Sequence, residues 1–89
     1  MYVMEHTPEA TAAVIDAVTM KLASRIRYER TKRGYSIRKL AVLVPCAPSQ
    51  IMLWEHGKAM PDLASRIKLS RALGISHDTL FSVDGLLTD

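Results

Sequence analysis

Residues 34–58 read GYSIRKLAVLVPCAPSQIMLWEHGK and contain the signals of two short helices separated by a turn. The hydroxyl of Ser36 is well placed to cap a first helix over about residues 37–43. Pro45 ends that helix, because proline lacks an amide hydrogen and restricts the residue before it. A second helix is expected over residues 48–56, since a proline suits its first turn and a glycine follows it.

Helical signals continue on both sides of this central pair. A long helix is predicted from about Pro8 to Lys32, either continuous or broken near residues 18–21, because apolar residues recur there every four positions: Val14, Val18, Leu22 and Ile26. After a break at Met60-Pro61-Asp62, two more helices are expected over residues 63–73 and about 77–82. Strand signals are scarce, so the chain is predicted to be an all-α bundle.

Length and composition restrict the class of protein. With 89 residues there is room for one small domain, and 48% hydrophobic with 24% charged residues exclude a disordered tail. The lone cysteine, Cys46, cannot form an internal disulfide, which excludes a disulfide-stapled secreted scaffold and suits the cytoplasm. An acidic N-terminus without a long apolar run predicts neither a signal peptide nor a membrane partner.

Positive charge is concentrated in the middle of the chain. The net charge is only +3, but residues 20–58 carry nine basic side chains against two acidic ones. Residues 1–19 and 59–89 are each net negative. A basic block is more often a solvated helix face than a binding surface, so alone it favours a polyanionic partner only modestly.

Two short helices joined by an irregular turn, inside this basic block, form a helix-turn-helix arrangement. In that geometry the first helix crosses the phosphate backbone and the second places its N-terminal side chains in the major groove. Many small helical proteins contain a similar corner that binds nothing. The spacing alone therefore leaves DNA binding and a purely structural corner about equally open.

A series of short motifs extends from Leu22 to about Phe81: Arg25-Ile26-Arg27 with Arg30, Gly34-Tyr35-Ser36, Leu40-Ala41, Ser49-Gln50-Ile51, Trp54-Glu55-His56-Gly57-Lys58, Pro61 and Ile67 to Ile75. In this order they resemble the Xre or lambda-repressor-like helix-turn-helix domains of bacterial and phage transcription regulators. The resemblance implies a five-helix DNA-binding domain over residues 20–82. Residues 1–19 are then an extra N-terminal helical extension, and residues 83–89 a C-terminal tail.

The resemblance also assigns structural roles. It implies an ion pair between Arg30 and Glu55 that ties the first helix to the end of the third. The core that fixes the two motif helices is expected to include Leu40, Ala41, Ile51 and Trp54. The Trp54 indole is expected to pack rather than stack on a base, because it shares a helix face with Ile51.

DNA contacts are expected from the exposed face of the second motif helix and from the cations around it. The base-reading candidates are Pro48, Ser49, Gln50, Met52 and Leu53. Serine and glutamine can form hydrogen bonds with base edges, whereas methionine and leucine can contact only a thymine methyl group. The phosphate-binding candidates are Arg38, Lys39, Lys58, Lys32, Arg33 and His56.

The sequence departs from the family pattern at three points. Ile37 stands where many relatives have a glutamine that touches the DNA backbone, and Pro45 stands where a glycine is common in the turn. The reading helix also contains no lysine or arginine, so it cannot recognise guanine with a bidentate arginine. These departures support an alternative, a helix-turn-helix adaptor or antitoxin whose exposed helix contacts a protein partner.

No enzyme activity, metal site or cofactor is expected. The three histidines, His6, His56 and His77, are too scattered to suggest a metal site, and Cys46 is interpreted as a small packed hydrophobe. No glycine-rich phosphate loop or other catalytic constellation occurs in the sequence.

The expected function is that of a small, nucleoid-associated regulator, most simply a homodimeric repressor on a near-palindromic operator. Two reading helices about 34 Å apart then enter successive major grooves. Two surfaces compete for the dimer contact. One is the segment of residues 8–19 with Val14 and Val18, and the other is an apolar C-terminal patch, which the resemblance favours: Leu80, Phe81, Val83, Leu86 and Leu87.

Overall fold

The computed structural model describes residues 8–82, with side chains from residue 17 onward. These residues form five helices and no strand: α1 (Pro8–Lys32), α2 (Ile37–Leu43), α3 (Pro48–Glu55), α4 (Leu63–Leu73) and α5 (His77–Leu80). The all-α prediction is confirmed, and α2, α3 and α4 begin where the sequence signals place them. None of the helices in residues 8–82 is long and apolar enough to cross a membrane.

Short-range caps explain most of these boundaries. The first backbone N–H groups of a helix have no partner within it, and a side-chain oxygen just before the helix can accept from one of them. Three helices use this device: Ser36 accepts from the amide of Lys39 at 3.0 Å, Asp62 from that of Ser65 at 2.8 Å, and Ser76 from that of Thr79 at 3.0 Å. At the other end of α4, Gly74 adopts the left-handed conformation with φ of 69°, which glycine reaches without steric cost.

Two predicted boundaries and one open alternative are resolved by the structure. Helix α1 runs without a break through residues 18–21. Helix α3 ends at Glu55 rather than His56, because His56 has left helical geometry with φ of −96° and ψ of 3°. Helix α5 ends at Leu80 rather than Ser82, since Phe81 has likewise left helical geometry.

Every helix contributes to a single core. The fully buried large side chains are Leu22, Ile26, Leu40, Ile51, Leu69, Leu73 and Leu80. Leu40 and Ile51 come from α2 and α3, and Ala41 and Trp54 are 2% and 3% exposed beside them. The predicted motif core is therefore confirmed, and its packing fixes α2 and α3 relative to each other and to α1.

The turn between α2 and α3 is anchored to this core. Val44 is buried and precedes a cis peptide bond to Pro45, and the amide of Cys46 donates to the carbonyl oxygen of Ala41 at 2.8 Å. Ile37, which replaces the glutamine of many relatives, is half-buried and packs against the core. At the start of α2 an apolar contact thus takes the place of a polar side chain.

Two residues of the predicted C-terminal apolar patch, Leu80 and Phe81, belong to the core of the same chain. Leu80 is fully buried and Phe81 is only 8% exposed, because α5 packs against α1 and α4 within the same chain. The assignment of these two residues to an exposed dimer patch is therefore wrong. The other three residues of that patch, and the side chain of Val14, lie outside the described part of the chain. Val18 packs against the core.

Candidate nucleic-acid interface

Helix α3 presents one face to the core and the opposite face to solvent. Ile51 and Trp54 are buried, whereas the side chains spaced three, four and seven positions from Ser49 are exposed, as expected of one helix face. Of the base-reading candidates, Pro48, Ser49, Met52 and Leu53 are exposed and Gln50 is half-buried, and His56 is exposed at the end of the helix. The base-reading candidates thus share one surface.

The position of α3 is held by an ion pair at its C-terminal end. Arg30 donates from Nε to Oε2 of Glu55 at 2.5 Å and from Nη2 to Oε1 at 2.9 Å, so the contact is bidentate. The same guanidinium donates from Nη1 to the carbonyl oxygen of Tyr35 at 2.8 Å. Its side chain is 11% exposed and that of Glu55 only 4%. Arg30 therefore links α1, the loop before α2, and α3.

The hydrogen bond that Arg30 donates to the Glu55 carboxylate also raises the pKa of Arg30, against the opposing effect of burial. Arg30 therefore stays charged at any physiological pH. Neither carboxylate nor guanidinium is available to a ligand while the bidentate contact is intact. The contacts of Arg30 and Glu55 accordingly hold α3 in position against α1.

Exposed cations lie on α1, on α2 and in the segment directly after α3. Four of the six phosphate-binding candidates have exposed, positively charged side chains: Lys32, Arg38, Lys39 and Lys58. The exposed imidazole of His56 lies at the end of α3. Lys32 places its Nζ over the ring of Tyr28, 5.5 Å from the centroid. This weak contact leaves the ammonium group accessible.

Arg33 differs from the other phosphate-binding candidates because it is already paired. Its Nη1 donates to Oε1 of Glu29 at 2.6 Å and to the backbone carbonyl oxygen of the same residue at 2.7 Å. The Arg33 side chain is also about three-quarters buried. A phosphate contact through Nη1 of Arg33 requires this pair to open, whereas Lys32 and Lys58 need no such exchange.

The outward face of α3 borders an open depression of about 400 Å³. Its lining is mostly apolar and consists of Ser49, Met52, Leu53, His56 and Lys58. Met52 and Leu53 are 44% and 42% exposed, and α3 itself contains no lysine or arginine. The outward face of α3 itself is thus apolar and uncharged, and Lys58, just after the helix, places one cation in the lining of the depression.

One contact between two helices was not predicted from the sequence. Arg25 donates from Nη1 to the carbonyl oxygens of Thr79 at 3.0 Å and Leu80 at 2.8 Å, which closes the bundle by joining α1 to α5. The only signal for it is that Arg25 falls within a family motif, because a partner more than 50 positions away leaves no local pattern.

A metal site or a reactive cysteine finds little support in the part of the chain that the structure describes. No group of three or more histidine, cysteine, aspartate or glutamate residues is placed to hold a metal ion there. Cys46 is half-buried against the core, and burial raises the pKa of its thiol despite the nearby charge of Lys68. A raised thiol pKa disfavours the reactive thiolate, so the geometry agrees with a packing role.

Comparison with known proteins gives two matches. A helix-turn-helix family model matches residues 26–80, which include α2 to α5 and the end of α1. The SPbeta prophage-derived HTH-type transcriptional regulator YonR of Bacillus subtilis (strain 168) is 36% identical over 72 residues, covering 73% of this chain and 67% of that protein. No solved structure matches the chain at a significant level.

Proposed function

The chain belongs to the helix-turn-helix family of DNA-binding transcriptional regulators, and we propose that it binds a specific double-stranded DNA sequence as a homodimeric repressor. One observation carries this proposal. Helix α3 exposes an outward face, the Arg30–Glu55 pair fixes its position, and Lys58 lines the depression beside it. A fixed helix with an exposed face and a cation next to it suits major-groove recognition.

Within this proposal the side chains of α3 have distinct roles. Ser49 and Gln50 form hydrogen bonds with base edges near the N-terminal end of the helix, and Pro48 begins the helix beside them. Met52 and Leu53 make apolar contacts further along the same face. The DNA-binding unit is the domain of residues 20–82, and the protein acts on the nucleoid in the cytoplasm.

Affinity comes from the cations rather than from α3. Each phosphate neutralised by a lysine or arginine releases counterions, so affinity falls with salt, with a slope of about 0.9 for each contact on a double-logarithmic plot. The four exposed cations that are proposed to make these contacts are Lys32, Arg38, Lys39 and Lys58. His56 adds a polar contact, and Arg33 adds one only when its pair with Glu29 opens.

A single domain of this size reads few base pairs, and a pair of domains doubles the contacts. We infer that a homodimer places two α3 helices about 34 Å apart on a near-palindromic operator and excludes polymerase. Because Leu80 and Phe81 are used in the core, the N-terminal part of α1 is the better candidate for the dimer contact. About 15 Å of this helix precede Val18.

The test is selection of bound duplexes from a random DNA pool, followed by a salt titration of the selected duplex. A symmetric selected motif, with binding that weakens steeply as salt rises, is the expected result. Sedimentation should show a dimer on that duplex.

A second candidate function rests on the apolar character of α3. A protein-contact adaptor or antitoxin also explains exposed Met52 and Leu53, since charged residues are depleted at protein interfaces. The two functions differ in the titration, because an adaptor has no appreciable affinity for any duplex even at low salt. A monomer seen both with and without the selected duplex eliminates the homodimeric repressor.

A further inference from the structure

We propose that the outward face of α3 recognises the 5-methyl group of pyrimidine bases, so that the protein distinguishes thymine from uracil and 5-methylcytosine from cytosine. This inference rests on the proposed binding to duplex DNA and specifies what is read there. The surface that carries it is the apolar depression of about 400 Å³ beside α3, lined by Ser49, Met52, Leu53, His56 and Lys58.

The chemistry of this surface matches one feature of the major groove. Base edges present hydrogen-bond donors and acceptors there, and the thymine methyl group is the one apolar feature. Met52 and Leu53 are consecutive residues of the exposed face and offer only apolar atoms. Against a donor or acceptor, such side chains remove water without replacing its hydrogen bonds, which is unfavourable. Against a methyl group, the same contact is favourable.

The charge around the depression indicates nucleic acid rather than a protein as the occupant. Lys58 lies in the lining itself, and the exposed cations of α2, Arg38 and Lys39, belong to the neighbouring helix of the motif. Within α3 the acidic residue Glu55 is neutralised by Arg30. An apolar strip with a lysine in its lining is complementary to a groove floor with methyl groups beside a phosphate backbone.

The experiment compares matched duplexes that differ only at carbon 5 of selected pyrimidines. In the duplex selected from the random pool, each thymine of one half-site is replaced in turn by deoxyuridine, which removes the methyl group and keeps every hydrogen-bonding atom. Burial of one methyl group corresponds to about a fourfold change in affinity. We expect at least one position per half-site to show this loss, and about a sixteenfold loss when both half-sites are changed.

A second pair of duplexes tests the methyl group in a different base. At the sensitive position a C·G pair replaces the T·A pair, with the cytosine either unmodified or methylated at carbon 5. The methylated duplex is expected to bind about fourfold more tightly than the unmodified one. Equal binding of these two duplexes, together with equal binding of the thymine and uracil duplexes, overturns methyl recognition and leaves DNA binding intact.

Variants locate the effect on the protein. Leu53→Ala and Met52→Ala shorten exposed side chains, so both variants are expected to fold, and each should reduce the ratio of thymine to uracil affinity towards one. Leu63→Ala is the matched control, because Leu63 is a 59% exposed leucine on α4 outside the depression. A ratio that survives in both α3 variants contradicts the assignment to this face. Failure of the wild-type protein to bind any duplex at low salt overturns the proposed function itself.

Discussion

Removal of the Glu55 carboxylate should destabilise the domain severely. In Glu55→Ala, Arg30 loses two hydrogen bonds, of 2.5 and 2.9 Å, and keeps only the contact with the Tyr35 carbonyl oxygen at 2.8 Å. Breaking a buried ion pair by removing one partner costs about 3–5 kcal/mol. Because the Arg30 side chain retains 11% exposure and one hydrogen bond, we expect the low end of that range, about 3 kcal/mol.

This loss is large for a domain of this size. Stabilities of about 0.05–0.15 kcal/mol per residue give the described part of the chain a total of roughly 4–11 kcal/mol. Urea unfolding followed by circular dichroism measures the change as a shift of the midpoint at constant slope. The matched control is Glu29→Ala, which removes the helical i, i+4 pair with Arg33 and should cost less than about 1 kcal/mol.

A double-mutant cycle separates the pair from its surroundings. The variants Arg30→Met, Glu55→Met and the double variant keep similar volume, and replacement of both charges by apolar side chains is often neutral. We therefore expect the double variant to be more stable than either single variant, with a coupling of about 2–3 kcal/mol. Single variants that each cost less than about 1 kcal/mol and combine additively would refute the argument that this pair fixes α3.

Three further predictions follow from other parts of the structure. Lys39→Ala and Lys58→Ala should each lower the slope of log affinity against log salt by about 0.9 per protomer. Lys68 is an exposed lysine on α4 outside the proposed interface, so Lys68→Ala should leave the slope unchanged. Equal slopes for all three variants would argue against the assigned phosphate contacts. Leu80→Ala should lower the free energy of unfolding by about 2–5 kcal/mol in chemical denaturation, because the side chain is fully buried. A loss below about 0.5 kcal/mol, as is typical of surface residues, would instead indicate that Leu80 is exposed. Hydrogen bonds from Ser65 hold the pKa of Asp62 below its ordinary value of 3.8. The ionised carboxylate therefore stabilises the folded domain above that value, and this contribution is lost as pH falls through the lower folded-state pKa. Below about pH 4 the thermal midpoint of the wild type should fall more than that of Asp62→Asn, which keeps the helix cap but does not titrate.

Local signals predicted the helices well because the physics that ends a helix is local. Ser36 and Gly74 mark the ends of α2 and α4 through contacts with residues three or four positions away. The outward face of α3 followed from the same kind of reasoning, since burial of Ile51 and Trp54 determines by helical periodicity which neighbours are exposed.

Contacts between distant segments could not be predicted in this way. An apolar residue near the end of a chain, such as Leu80, is equally suited to its own core or to a second subunit, and no local pattern distinguishes the two. The hydrogen bonds from Arg25 to α5 depend on how the bundle closes. The pairing of Arg33 with Glu29 is a different case, because the i, i+4 spacing is visible in the sequence. This pair shows that a cation in a basic segment can already have an acidic partner.

Because the proposed reading face of α3 is apolar, a fixed position of this helix matters more here than in a domain that reads DNA with long charged side chains. An arginine can adjust its rotamers to reach a base, and Coulomb attraction declines slowly with distance. Dispersion contacts do not tolerate such adjustment, since a gap of about 0.5–1 Å already loses a quarter to a half of the attraction. Met52 and Leu53 therefore depend on the exact placement of α3, which the Arg30–Glu55 pair controls.

It follows that Glu55→Ala, at a temperature where it remains folded, should reduce the ratio of thymine to uracil affinity more than it reduces affinity for the uracil duplex. Anisotropy titrations of both duplexes measure the two quantities, and an equal loss on both would show that α3 reads DNA without needing this fixed position.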